Sequence, residues 1–218
     1  MFEGVPESWF APGAPPLEVD FGSHRGVFLT GMAALHPGTN FLGIERQSER
    51  VRKTLGKIER RGLRNAWAVR GEGTEALREG LPDQSIAVLH VSFPDPWPKR
   101  RHAGRRLVNP AFLREVWRVL RPGGVLRLMT DNEPYFREME EAVLPFWSVV
   151  PWDDGRETVA TSFELTFRAL GYSPHRLAVR RPGVSPPMPI QSPPPAEGDD
   201  RPARASRTRT PEAVPEDH

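Results

Sequence analysis

The sequence predicts an α/β domain built on a mostly parallel, doubly wound sheet. Three observations carry this. Short apolar, β-branched runs such as Ile86-Ala87-Val88-Leu89-His90-Val91 recur along the chain and read as buried strands. Segments with apolar residues at helical 3–4 spacing separate them, and strict alternation of the two implies parallel pairing. An acid stands near almost every strand end: Glu18, Asp20, Glu45, Glu72, Asp95 and Asp131. In such a sheet, ligands bind at the carboxyl edge.

In chain order, residues 1–15, with Pro6, Pro12 and Pro15, form an irregular lead-in. Leu17–Phe21 is a strand stopped at Gly22, and a helix from Gly26 carries Phe28, Leu29, Met32, Ala33 and Leu35 to Pro37-Gly38. Asn40–Glu45 is the second strand, followed by a helix through Val51, Leu55 and Ile58 to Gly62. Ala66–Val69 is the third strand, Gly71-Glu72-Gly73 a turn, and Thr74–Arg78 a short helix. Ile86–Val91 is the fourth. It cannot continue, because Pro94, Pro96 and Pro98 fix φ and remove donors. Asn109 or Pro110 opens a helix with Phe112, Leu113, Val116, Val119 and Leu120, which Pro122-Gly123-Gly124 ends. Val125–Thr130 is the fifth strand, a helix runs from about Glu133 to Leu144, and Ser148–Val150 with Leu177–Val179 form a last pair. Between these two, Thr161-Ser162-Phe163-Glu164 opens an amphipathic segment ending at Gly171.

Composition narrows the function. The 218 residues hold no cysteine, which excludes disulfides, thiolate catalysis and thiolate metal sites, and the six histidines lack metal-binding spacing, so no metal is expected. Without a membrane-length apolar run or a signal-peptide pattern, a cytoplasmic protein is expected. Residues 182–218 hold ten of the 25 prolines and no aromatic, a composition too poor in apolar surface to offset ordering entropy, so a disordered tail is expected. The organised part is then 16–181.

The chemistry concentrates in Phe93-Pro94-Asp95-Pro96-Trp97-Pro98-Lys99-Arg100-Arg101-His102. A proline-stiffened loop at a strand end presents one carboxylate and one large ring, then a cluster of cations. Lys99, Arg100, Arg101, Arg105 and Arg106 suit contacts to RNA phosphates, which position a nucleic acid rather than read its sequence. Glu45, closing the second strand after a Gly-containing first turn, stands where a ribose diol is gripped. That turn, Gly22-Ser23-His24-Arg25-Gly26, lacks the GxGxxG pattern of pyrophosphate binders. A nucleoside cofactor without pyrophosphate fits better, which points to S-adenosylmethionine.

The stretch Phe93 to His102 with Arg105-Arg106-Leu107-Val108 resembles the bacterial tRNA (guanine-N7-)-methyltransferases, the TrmB-type family. Asn40-Phe41-Leu42-Gly43-Ile44-Glu45, Thr130-Asp131-Asn132-Glu133-Pro134-Tyr135 and Thr161-Ser162-Phe163-Glu164 with Gly171 match in order and spacing. The resemblance spans roughly residues 17–180. It implies a Rossmann-like class I S-adenosylmethionine-dependent methyltransferase fold and methyl transfer to N7 of a guanine in tRNA. It further implies that Glu18, Glu45, Glu72 and Asp95 hold the cofactor, with Asp95 also catalytic at the target base. Lys99, Asp131, Thr161 and Glu164 would frame the guanosine. In this chain Asp20 stands at the first glycine of the family's Glu-x-Gly-x-Gly-x-Gly loop, and the loop is longer. Three rival readings share the sheet: a small-molecule methyltransferase, which has no use for the cations; a non-catalytic RNA-binding protein on a decayed methyltransferase fold; and a nicotinamide dehydrogenase, which the missing GxGxxG disfavours.

Overall fold

Five strands that the sequence marks as apolar pair in parallel, and their carboxyl ends form one edge. The computed structural model describes residues 2–97 and 100–183, without the side chains of Arg100 and Ala103. In chain order the elements are β1 (Leu17–Phe21), α1 (Val27–Leu35), β2 (Asn40–Glu45), α2 (Ser48–Arg60), β3 (Ala66–Arg70), α3 (Gly73–Gly80), β4 (Ile86–Ser92), α4 (Pro110–Val119), β5 (Leu120–Thr130), α5 (Glu133–Val143), β6 (Ser148–Val150), α6 (Ser162–Ala169) and β7 (His175–Arg180). Short 3₁₀ helices lie at Glu7–Phe10 and Arg100–Arg105. The sheet order is β3-β2-β1-β4-β5-β7-β6. β7 runs antiparallel to both β5 and β6, as hairpin-like closure of an otherwise parallel sheet.

Each face of the sheet buries its own apolar cluster. On one face, α1 and α2 bring Leu29, Met32, Val51 and Ile58 against Phe41, Ala66 and Ala68. On the other, Leu77 of α3, Phe112 and Val116 of α4 and Tyr135 and Met139 of α5 cover Val19, Leu42, Leu89 and Leu126. Strand residues alternate between the two clusters, so β1 and β2 are buried along their whole length.

Two differences from the sequence reading have physical causes. β5 begins at Leu120, five residues before the expected Val125, because Leu120 pairs with Ile86 and the Pro122-Gly123-Gly124 stretch is carried within the strand. Gly124 is required there: a Cβ would come within 2.8 Å of the Arg121 carbonyl oxygen. The lead-in carries the 3₁₀ helix Glu7–Phe10 and packs on the core, with Val5 and Trp9 buried and Phe2 lying against Gly80. Among the described residues no helix is long and apolar enough to cross a membrane, and no group of three or more His, Cys, Asp or Glu is arranged to hold a metal ion.

Candidate active site

The chain order reverses at β1, which has β2 on one side and β4 on the other. The register sets Phe21 beside Ile44 and Val91, so three strands deliver their following loops to one crevice. A cavity of about 530 Å³ lies there, lined by Gly22, Glu45, Glu72, Asp95, Trp97 and Arg105 among others. Four residues expected from sequence — Glu45, Glu72, Asp95 and Arg105 — therefore share one cavity. Glu45 is buried. Its Oε2 accepts from the His24 backbone N–H at 3.0 Å and its Oε1 from the Gln47 N–H at 3.0 Å, which ties the first loop to the second strand. An ionised carboxylate has about four acceptor sites, so two remain for a ligand diol. Glu72 is largely exposed and faces Arg46 at 3.7 Å.

Asp95 is exposed on its proline-flanked loop. That loop holds two non-glycine residues at positive φ, Phe93 at 53° and Trp97 at 42°. Such conformations cost on the order of 1–3 kcal/mol and persist only where surroundings over-determine them. Phe93 is held by its N–H to the Met129 carbonyl at 2.7 Å and by stacking on Phe167 with ring centroids 5.3 Å apart. Arg106 holds the other end. Its Nε donates to the Pro96 carbonyl at 2.7 Å, Nη2 to the Trp97 carbonyl at 3.3 Å, and Nη1 pairs with Glu138. Arg106, expected to meet a phosphate, is buried, and three of its five donors are engaged by the Pro96 and Trp97 carbonyls and by Glu138. Arg105, in contrast, is exposed and lies over the Trp97 ring at 5.1 Å, and Arg101 is exposed. Arg100 lies in the 3₁₀ helix, while Lys99 lies outside the described residues.

Glu18, Glu164 and Asp131, also expected from sequence, do not line the cavity. Glu18 is buried between His90 Nε2 at 2.9 Å and Arg156 Nη1 at 2.7 Å. Burial alone would raise its pKa, but the bonds and charges of His90 and Arg156 outweigh it and hold the pKa at about 2. Both oxygens are engaged within the protein, so Glu18 braces β1 against β4 rather than offering a free carboxylate. Glu164 is likewise buried, its Oε1 bonded to Arg168 and Arg176 at 2.5 Å each. It also closes a capping box with Thr161 at the start of α6. Asp131 is exposed at the end of β5, away from the cavity walls.

Thr161 reaches a small annex of about 30 Å³ that adjoins the main cavity through Gly22, His24, Ser92 and Phe93. Asp20 lines this annex as well. It is buried, and among the described residues no donor is hydrogen-bonded to its carboxyl. Burial, then the charge of Glu45, pushes its pKa up to about 7. Ser23 Oγ and His24 Nδ1, beside it, are buried without partners among the described residues. These orphaned polar atoms, the two free acceptor sites of Glu45 and the open space at Gly22, where a Cβ would meet nothing, fit a nucleoside cofactor carrying a cationic centre.

Several cavity residues were not singled out as site residues from sequence. Arg46 and Arg50 follow Glu45 and rim the cavity, and Phe163 roofs it, 5.4 Å from the His24 ring. Phe163 lies within the quoted Thr161-Ser162-Phe163-Glu164 block, so position alone could have found it.

Comparison with known proteins agrees with this geometry. Residues 14–158 match the family described as "Putative methyltransferase". A "tRNA (guanine-N(7)-)-methyltransferase" of Levilactobacillus brevis is 35% identical over 168 residues, covering 73% of this chain and 78% of the relative. One of the same name from Chromohalobacter salexigens is 41% identical over 138 residues, covering 63% of this chain and 55% of the relative. The chain thus spans little more than half the length of some curated relatives it matches. A crystal structure of a SAM dependent methyltransferase from Aquifex aeolicus superposes with a TM-score of 0.51 at 17% identity, covering 78% of this chain and 84% of that one, a likeness of fold. With its strand order, its crevice at the β1–β4 switch point and these relatives together, the chain belongs to the TrmB-type tRNA (guanine-N7-)-methyltransferase family.

Proposed function

We propose that this chain transfers a methyl group from S-adenosylmethionine to N7 of a guanine in tRNA, in the cytoplasm. The observation that carries the reading is the shared cavity. One wall offers the buried Glu45, the other the strained Asp95–Trp97 loop, and Arg105 stands at the mouth. Glu45 would hold the cofactor's ribose through its two free acceptor sites, with Glu72 nearby at the adenine end.

When bound, the cofactor supplies an electrophilic methyl on a sulfonium. Guanine N7 is a lone-pair acceptor with no proton to lose, so the chain needs no general base. What it must do is orient the purine and place fixed negative charge near the positive charge that moves onto it. Asp95 is held for that task, because Pro94, Pro96 and the Arg106 bonds fix its loop. The carboxylate can also accept from guanine N1–H and N2–H₂, which favours G over A. Glu164, engaged by two arginines, would act by fixing α6 and hence Phe163 over the cavity. Arg101 and Arg105 would meet phosphates. Thr161 lies in the annex, and Asp131 and Lys99 remain assigned to the guanosine by resemblance.

The test is methyl transfer to bulk tRNA lacking this modification, with the product nucleoside identified by mass spectrometry. 7-Methylguanosine is expected. Asp95→Asn keeps the shape and removes the charge. Its single-turnover rate should fall by on the order of 10²-fold, the scale of removing one preorganised electrostatic partner, with tRNA affinity within a few-fold. A wild-type rate in Asp95→Asn at saturating cofactor would remove the carboxylate from the chemistry.

A further inference from the structure

A second cavity, of about 1110 Å³, lies away from the candidate site along α2. Five cations line it, Arg25, Arg52, Lys53, Lys57 and Arg60, against one carboxylate, Glu59. The floor is apolar, with Ile58 and Trp67. The helix sequence explains the arrangement. Arg50, Lys53, Lys57 and Arg60 recur at intervals of three, four and three, so they form one stripe, while Val51, Thr54 and Ile58 are buried on the sheet side.

Arg50 stands 3.6 Å from Glu45, but the five cations that line the groove are poorly neutralised. Lys53 pairs with Glu49 at 2.6 Å, but both side chains are more than half exposed, where such a pair contributes little. Among the described residues no carboxylate lies within ion-pair distance of Arg25, Arg52, Lys57 or Arg60. Lys57 instead donates to the Arg25 carbonyl at 2.7 Å. Partial burial, then the like charges of Arg61, Arg25 and Arg60, push its pKa below the usual lysine range. Like charges one helical turn apart destabilise a helix. The fold carries a repulsion here that a bound polyanion would relieve. Arg50 to Arg60 spans about 15 Å along the axis, the length of several phosphates of one strand. At its upper end the stripe meets the candidate site, since Arg50 rims the 530 Å³ cavity and Arg25 adjoins His24 in its wall.

Resting on the reading above, we propose that the groove along α2 carries the phosphate backbone of the tRNA body while its guanine occupies the cavity. The triple variant Arg52→Ala/Lys53→Ala/Arg60→Ala changes only exposed side chains outside the 530 Å³ cavity and should melt as the wild type does. Its affinity for tRNA, measured by fluorescence anisotropy, should fall tenfold or more. The slope of log K against log salt should become shallower by about 2, because each lost phosphate contact removes roughly 0.7–0.9. Its KM for full-length tRNA should rise at unchanged kcat, while methylation of a short hairpin bearing the same guanine, too small to reach the groove, stays within twofold. Unchanged affinity and salt slope overturn the proposal, as does a loss that falls equally on the hairpin. Anisotropy needs no turnover, so a wild-type chain that makes no 7-methylguanosine would sink the methylation reading and leave the groove to be judged by binding alone.

Discussion

The carboxyl of Asp20 makes the stability of this fold depend on pH in a direction opposite to that of most acids. Its pKa is 3.8 in the unfolded chain and about 7 in the folded one, through burial and then the Glu45 charge. Below about pH 4 both states hold the proton, and above about pH 7 neither does. Between them the folded state binds a proton that the unfolded state does not, so unfolding free energy falls as pH rises through this window. At 1.36 kcal/mol per pH unit the loss is on the order of 4 kcal/mol. Asp20→Asn has no proton to lose and nearly the same shape. It should match the wild type near pH 4 and exceed it progressively to pH 8, where about 4 kcal/mol corresponds to a Tm higher by roughly 8–16 °C for a chain this size. Glu18 does not confuse the comparison. With a folded pKa of about 2, its contribution is complete above pH 4.5, is lost only as pH falls through 2, and is common to both proteins. Calorimetric melting from pH 4 to 8 decides the matter. Parallel curves for the two proteins would mean that Asp20 is ionised in the folded state and that the environment of the first loop has been misjudged.

Two further predictions concern residues whose partners are now known. Glu45→Gln should weaken S-adenosylmethionine binding in calorimetry by about 1.5–3 kcal/mol, roughly tenfold to a hundredfold, by exchanging charge-assisted acceptors for neutral ones; an unchanged dissociation constant would take Glu45 out of the site. Arg106→Ala should lower stability by about 1–3 kcal/mol through the lost bonds to Pro96, Trp97 and Glu138, and Arg106→Lys should not restore it, since one ammonium cannot replace the guanidinium fork. A Tm within about 2 °C of wild type would argue that the loop holds without it.

The strands and their ends were legible because they depend on local rules. β2 runs from Asn40 to Glu45 and β1 from Leu17 to Phe21, as the apolar runs and Gly22 imply. The prolines stop β4 one residue beyond the expected Val91. A cavity at the β1–β4 switch point follows from the order of such strands. What the sequence could not reveal is who neutralises whom. Glu18 meets Arg156, 138 residues away, and Glu164 meets Arg176 on another element. Arg106 reads as one cation in a basic run, yet Glu138 on α5 and two loop carbonyls claim it. No periodicity encodes such pairings, so charge at a position was read as charge available to a ligand.

That distinction sorts the six acids near the strand ends into different roles. Glu18 is engaged by a hydrogen bond from His90 and paired with Arg156, and Asp20 keeps its proton up to about pH 7. Asp131 lies off the cavity walls. The charge left to the cavity is that of Glu45, Glu72 and Asp95, with Arg50 at ion-pair distance from Glu45 (3.6 Å) and Arg46 from Glu72 (3.7 Å). The Arg46–Glu72 pair is solvent-exposed on both sides and its attraction is weak, so a ligand cation can still draw on Glu72. The arginines themselves line the cavity beside these carboxylates. Acid within and base around it is the arrangement that a sulfonium cofactor and a polyanionic substrate require of one crevice, and the α2 stripe extends the basic part beyond it.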